Sequence, residues 1–222
     1  MSFFQVSRKD GIYTVLMDRA PLNALTMEML EEGAALLREL AQERDLLALV
    51  VSGVGPAFTA GVDTKVAAAL HHEERLRLSR SVNSFAAALI AMPCAVVSGV
   101  NGHAIGAGGI MCLASDWTLI ADAPLKIGLP EAKAGLPFPQ VPTIIMEHGL
   151  DPVWRRRLAL SSMLLGPVEA VKAGLADEVV APADLMRAAL ARATQLASQP
   201  GFRQIKADQR RKALAEIADV LA

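Results

Sequence analysis

Hydrophobic and polar positions follow different spacings along this chain, and each change of spacing predicts an element. Residues 3–9 and 12–17 make two short strands, with Asp10-Gly11 between them as a hairpin turn, because both residues tolerate positive φ. Thr26 stands at a helix N-cap, and behind it Leu30, Ala34, Leu37 and Ala41 recur at helical spacing. Residues 46–52 form an apolar run with no polar alternation, the mark of a strand covered on both faces. A Gly- and Pro-rich loop follows over 53–62, then an amphipathic helix over 71–92 and another apolar strand over 94–100. That strand runs through residues 101–109 into a helix ending near Ser115. Residues 117–120 and 125–127 are short strand candidates. Beyond Gly128, a segment holding Pro130, Pro137, Pro139 and Pro142 precedes a mostly helical remainder. One short strand over 177–180 interrupts it, and the last helices are expected over 183–197 and 202–221.

Strand and helix thus alternate first and helices dominate later, which predicts an α/β core with a helical C-terminal part. The expected division is residues 1–140 for the core and 141–222 for a helical region of the same domain. Composition narrows the function classes. The 222 residues carry 22 Lys+Arg against 23 Asp+Glu, a formal charge of −1, without the basic excess of a nucleic-acid binder. Charged residues at 20% and hydrophobic residues at 53% argue against disorder. Cys94 and Cys112 lie in apolar surroundings and are expected as buried free thiols, with no Cys-x-x-Cys and no zinc spacing. The start, Met-Ser-Phe-Phe-Gln, lacks a signal-peptide pattern. The longest apolar stretch is broken by Pro93 and falls short of the ~20 residues that span a bilayer. A cytoplasmic protein without membrane contact is the expectation.

Two loops carry candidate chemistry. Gly106-Ala107-Gly108-Gly109 follows a buried strand and opens a helix. It suits tight strand–helix packing, a dinucleotide turn placed unusually late in the chain, or an oxyanion site, since N–H groups at a helix start lack intrahelical partners. The loop from Pro56 to Asp63 also ends a strand, and its small residues let backbone approach a ligand. The two loops are expected to converge on one sheet edge, where α/β folds place ligands.

Four segments then occur in order: Pro21-Leu-Asn-Ala-Leu25, Ala57-Phe-Thr-Ala-Gly-Val-Asp63, Val100-Asn-Gly-His-Ala-Ile-Gly-Ala-Gly-Gly109 and Gly128-Leu-Pro-Glu-Ala-Lys-Ala-Gly135. Together with Gly166-Pro-Val-Glu-Ala-Val-Lys-Ala-Gly-Leu175, they resemble the enoyl-CoA hydratase/isomerase (crotonase) family over nearly the whole chain. The resemblance implies a crotonase-like spiral of ββα units, with a helical C-terminal region that forms trimers or dimers of trimers. It implies a coenzyme A thioester as substrate and no metal or redox cofactor. It places the thioester oxygen between the N–H groups of Val62 and Ala107, each such donor lowering a barrier by ~3 kcal/mol. Ala107 stands where the family usually has glycine. Glu131 matches the family's acid/base, and its apolar neighbours, Pro130 among them, are of the kind that raise a carboxyl pKa.

Ile110 stands where hydratases of the family carry a second glutamate that positions water. Two-glutamate hydration is therefore disfavoured, and proton shuttling by one base, double-bond isomerisation, is the chemistry that matches. Decarboxylation and thioester hydrolysis are family alternatives, and a catalytically silent acyl-CoA-binding or scaffold protein is the alternative from another class. The resemblance further places Lys65 and Lys206 at the CoA phosphates and Arg19, Ala24 and the carbonyl of Ala60 at the adenine end. Asp63, Gly106, Ile110 and Pro130 complete the expected substrate site. His103 is expected to be structural, Asp116 and Trp117 strand-edge residues, and Trp154-Arg-Arg-Arg157 a solvated helix face.

Overall fold

In the computed structural model, which describes residues 2–222, Asp10 and Gly11 take φ of 52° and 76°. They join β1 (Phe4–Lys9) to β2 (Ile12–Met17) as an antiparallel hairpin. The expected cap is present: Thr26 Oγ1 accepts from the Met29 N–H at 3.3 Å and starts α1 (Met27–Leu40).

Three ββα units follow. The first is β3 (Ala48–Gly53), β4 (Ala57–Thr59), the short α2 (Thr64–Ala69) and the long α3 (His72–Ile90). The second is β5 (Ala95–Val100), β6 (His103–Ile105) and α4 (Ala107–Ala114). The third is β7 (Trp117–Ala121), β8 (Ile127–Gly128), the one-turn α5 (Glu131–Ala134) and α6 (Gln140–Gly149). The chain then forms α7 (Pro152–Ser161), β9 (Leu164–Leu165), α8 (Pro167–Ala173), β10 (Glu178–Val180), α9 (Leu185–Ala197) and α10 (Phe202–Leu221).

The long strands form a six-stranded sheet in the order β1-β2-β3-β5-β7-β10, parallel beyond the hairpin. The short strands form a second sheet in the order β4-β6-β8-β9, in which only β9 runs antiparallel to its neighbour. Two expectations change here. The loop read over 53–62 contains β4, and the stretch over 101–109 contains β6, so the candidate loops leave the second sheet rather than the first. The region over 141–222 is not purely helical beyond the expected β10, because it also lends β9 to the second sheet.

The six-stranded sheet carries the core. Every residue of β5, and all of β3 but Gly53, is buried, as a strand covered on both faces requires. Helix α1 packs on α3, α3 on α4 and α6, and α9 on β3, β5 and β7. Leu49, Leu119, Ile120, Met17 and Phe58 are at most 1% exposed, each such side chain contributing ~1.5–3 kcal/mol by leaving water. Cys94 and Cys112 are free and buried, and desolvation pushes their thiols up to about 11 and about 12. Among the described residues, no helix is long and apolar enough to cross a membrane, and no three His, Cys, Asp or Glu cluster as metal ligands.

Candidate active site

The ends of β4, β6 and β8 lie side by side and release three loops in the same direction. The first carries Ala60-Gly61-Val62, the second Gly106-Ala107 and the third Leu129-Pro130-Glu131. Polar side chains, two of them buried, hold the first loop. Asn23 Nδ2 donates to the carbonyls of Val54, Ala57 and Phe58 at 2.9, 2.8 and 3.2 Å. Thr59 Oγ1 donates to the Asn23 carbonyl at 2.6 Å and accepts from the Gly61 N–H at 3.0 Å. Asn101 accepts from the Gly53 N–H at 3.1 Å and donates to the Gly55 carbonyl at 2.9 Å. None of these three was expected as a site residue. Asn23, Thr59 and Asn101 all lie inside the quoted segments, and a buried amide or hydroxyl between turn residues is the signal that marks them.

The loop then bridges to Leu25. The Leu25 N–H donates to the Gly61 carbonyl at 2.8 Å, and the Asp63 N–H donates to the Leu25 carbonyl at 2.9 Å. Strand-like alternation turns the Val62 N–H the other way, and it makes no hydrogen bond among the described residues. Ala107 opens α4, so its N–H has no helical partner and is equally unengaged. The loops touch: a Cβ added to Gly61 would lie 2.5 Å from the Ile105 carbonyl oxygen.

Glu131 begins α5, and its carboxyl lies over Gly106. A Cβ on Gly106, which has φ of 56°, would sit 2.7 Å from Glu131 Oε1. Glu131 Oε2 is buried without a hydrogen-bond partner, a condition it shares among the described side chains only with Trp117 Nε1. Burial pushes the Glu131 carboxyl up to about 7, with its own main-chain N–H pulling weakly the other way. A carboxyl in that range exists in both protonation states near neutral pH and can take and return a proton.

These groups share a cleft of about 570 Å³. Ala60, Val62, Gly106, Ala107, Ile110, Pro130 and Glu131 line it, as does an apolar wall of Leu78, Val82, Leu136, Pro137 and Phe138. Ile110 is 3% exposed and presents only hydrocarbon to the cleft. Among the described residues, Arg75 is the other charged side chain on the wall.

Other expected site residues lie elsewhere. Lys206 is corrected outright: it is buried on α10, where its Nζ donates at 2.6 Å to both Asp116 Oδ2 and the Cys94 carbonyl. Arg210 joins the same carboxylate at 2.7 Å, so Lys206 offers no ammonium to a phosphate. Asp63 caps α2 by accepting from the Val66 N–H at 3.3 Å, and its other oxygen pairs with Arg19 at 3.3 Å. Arg19 also donates to the Ala24 carbonyl at 2.8 Å. Arg19, Ala24 and Asp63 therefore brace the base of the first loop and do not line the cleft. Lys65 is exposed on α2, outside the cleft wall. His103 has the structural place expected of it, with Nδ1 accepting from the Lys126 N–H at 3.0 Å.

The model of the enoyl-CoA hydratase/isomerase family matches residues 7–220 of this chain. A protein of Mycobacterium tuberculosis named probable enoyl-CoA hydratase EchA17 is 30% identical over 194 residues, 87% of this chain and 74% of that protein. The crystal structure of another M. tuberculosis protein, named probable enoyl-CoA hydratase EchA3, superposes with a TM-score of 0.89 at 25% identity, covering 98% of this chain and 92% of that one. Human mitochondrial delta3-delta2-enoyl-CoA isomerase shares the fold with a TM-score of 0.90 at 22% identity, over 99% of this chain and 90% of its own. The two-sheet arrangement of ββα units is thus the crotonase fold, and the chain belongs to the enoyl-CoA hydratase/isomerase family.

Proposed function

We propose that this chain shifts a double bond in an enoyl-CoA thioester, with Glu131 as the single base. Ionised Glu131 takes a proton from C2 of a 3-enoyl thioester. The electron pair spreads through C1 to C4 as a dienolate, and its charge falls on the thioester oxygen between the Val62 and Ala107 N–H groups. Protonated Glu131 then returns the proton to C4, the C2–C3 double bond forms and the carboxylate is restored. Nothing is added or lost, so no second polar group is required.

Ile110 carries this reading. It faces the same cleft as Glu131 with a buried hydrocarbon side chain, in a place where activating water for addition to C3 would need a second acid or base. The relatives named as hydratases mark the competing reaction, and one assay separates the two. Purified protein is offered trans-3-enoyl-CoA and trans-2-enoyl-CoA. Ultraviolet absorbance of the conjugated thioester reports isomerisation, and mass spectrometry reports the gain of water. Isomerisation that Glu131→Gln lowers by about 10²–10⁴-fold is the expected result. Water addition as the main reaction, or full isomerisation by Glu131→Gln, overturns it. A homotrimer or dimer of trimers belongs to the same reading, and sedimentation of the purified chain tests it.

A further inference from the structure

Helix α5 has little to hold it. It is four residues long, and apart from the Glu131 carboxyl it buries no side chain. A helix of one turn is far below the length at which helices persist alone. Its main-chain bonds close its C-terminal end: Ala134 N–H to Pro130, Gly135 N–H to Ala132 and Leu136 N–H to Glu131. Its N-cap residue is Pro130, which has no side-chain acceptor for the free N–H groups of the first turn. That acceptor arrives from a distance. The Lys133 N–H donates at 3.0 Å to the hydroxyl of Ser162, in the turn between α7 and β9. No other side chain hydrogen-bonds to α5 among the described residues.

The turn is itself held against the Glu131 segment. β9 pairs with β8 through Ile127–Leu165 and Gly128–Leu164, and a Cβ on Gly128 would meet the Met163 carbonyl oxygen at 2.4 Å. Ser162 has φ of 54°. A glycine would take that conformation at lower steric cost but would bring no hydroxyl.

We infer that Ser162 is a positioning residue for Glu131: its hydroxyl caps α5 from outside the helix and so fixes the carboxyl over Gly106. The inference rests on the reading of Glu131 as the base. The charges near α5 leave the carboxyl alone. Arg155 of α7 pairs with Glu147, Arg157 stacks on Trp154, and Arg75 stands on α3 across the cleft.

The test compares Ser162→Gly, which keeps the backbone conformation and deletes the hydroxyl, with Ser162→Asn, which tolerates that conformation and restores an acceptor. Ser162→Gly is expected to lower kcat about tenfold with KM within about twofold, because a small misplacement of a reacting group is felt in the chemical step. The acid limb of its kcat/KM profile moves to lower pH as water reaches the carboxyl, and the Lys133 amide exchanges faster with deuterium. Ser162→Asn brings back kcat and slow exchange. Wild-type kcat, pH limb and Lys133 exchange in Ser162→Gly overturn the inference, as does an equal fall of kcat in both variants together with their melting temperatures. Glu131→Gln separates the two levels. An active Glu131→Gln sinks the base reading, whereas an inactive Glu131→Gln beside a fully active Ser162→Gly sinks only the role of Ser162.

Discussion

Glu131 holds one carboxyl oxygen over Gly106 and the other without a partner, and both facts have consequences that can be measured. Its carboxyl is raised from 4.5 to about 7 by burial, so below pH 4.5 the folded and unfolded chains both hold the proton and the site costs nothing in charge. Above that the unfolded chain ionises first. The stability present at low pH is lost as pH rises through about 7, a change on the order of 3 kcal/mol. Urea unfolding should therefore show Glu131→Gln gaining on the wild type between pH 5 and pH 8.5, and an equal difference at both values would contradict the desolvated carboxyl. If Glu131 is the base, kcat/KM should rise with pH through about 7, because only the carboxylate can accept a proton. Gly106 is the complementary case. Gly106→Ala puts a methyl 2.7 Å from Glu131 Oε1 at positive φ. If Glu131 is the base, turnover should fall by about 10²-fold through its displacement, on top of backbone strain, because φ of 56° with ψ of −111° is a glycine conformation outside the left-handed helical region.

At the scale of elements, legibility followed length and burial. The runs that became β3 and β5 could be recognised because parallel strands buried on both faces are continuously apolar, and Thr26 because a cap is a single-residue signal. β4, β6, β8 and β9 have two or three residues each, too few for any periodicity to register, so the second sheet was only partly foreseen. Motifs pointed to Val62, Ala107 and Glu131, which the fold brings to one cleft. Asn23, Thr59 and Ser162 were not legible, because each acts through a main-chain partner that only the folded chain brings near. Lys206 misled for the opposite reason. In a helix with many charges it looks like one more solvated lysine, yet it ties α10 to Asp116 at the start of β7. Burial draws its ammonium down to about 8 against the pull of Asp116, and it remains the main partner of that carboxylate with Arg210. Arg210 keeps Asp116 paired when Lys206 is removed, so Lys206→Met should lower the unfolding free energy by less than the about 3–5 kcal/mol of an uncompensated buried charge, and leave KM for the CoA ester unchanged. A raised KM at unaltered stability would return Lys206 to the phosphates.

Over the whole molecule, a net charge of −1 supplies no long-range attraction for an anionic CoA ester. If the substrate is a CoA ester, as proposed, its phosphates would have to meet single surface groups such as Lys65, exposed on α2 just past the Ala60–Val62 loop. Lys65→Ala is expected to raise KM about fivefold with kcat intact, the size of one exposed ionic contact. Steady-state kinetics with an enoyl-CoA checks this, and an unchanged KM would remove Lys65 from the site. The second sheet has a different kind of reach across the molecule. Adjacent strands lie about 4.8 Å apart, and two N–H donors that share one oxygen at about 2.9 Å each can be separated by no more than about 5.8 Å. The amides beyond β4 and β6 hang from neighbouring strands, and the carboxylate beyond β8 hangs from the next one. Strand spacing acts as a ruler graduated in the peptide backbone, which every amino acid shares. Side chains such as Val62, Ala107 and Ile110 can then be exchanged without moving the marks, so in the proposed reaction the chemistry could be retuned while the spacing of the two amides stayed unaltered.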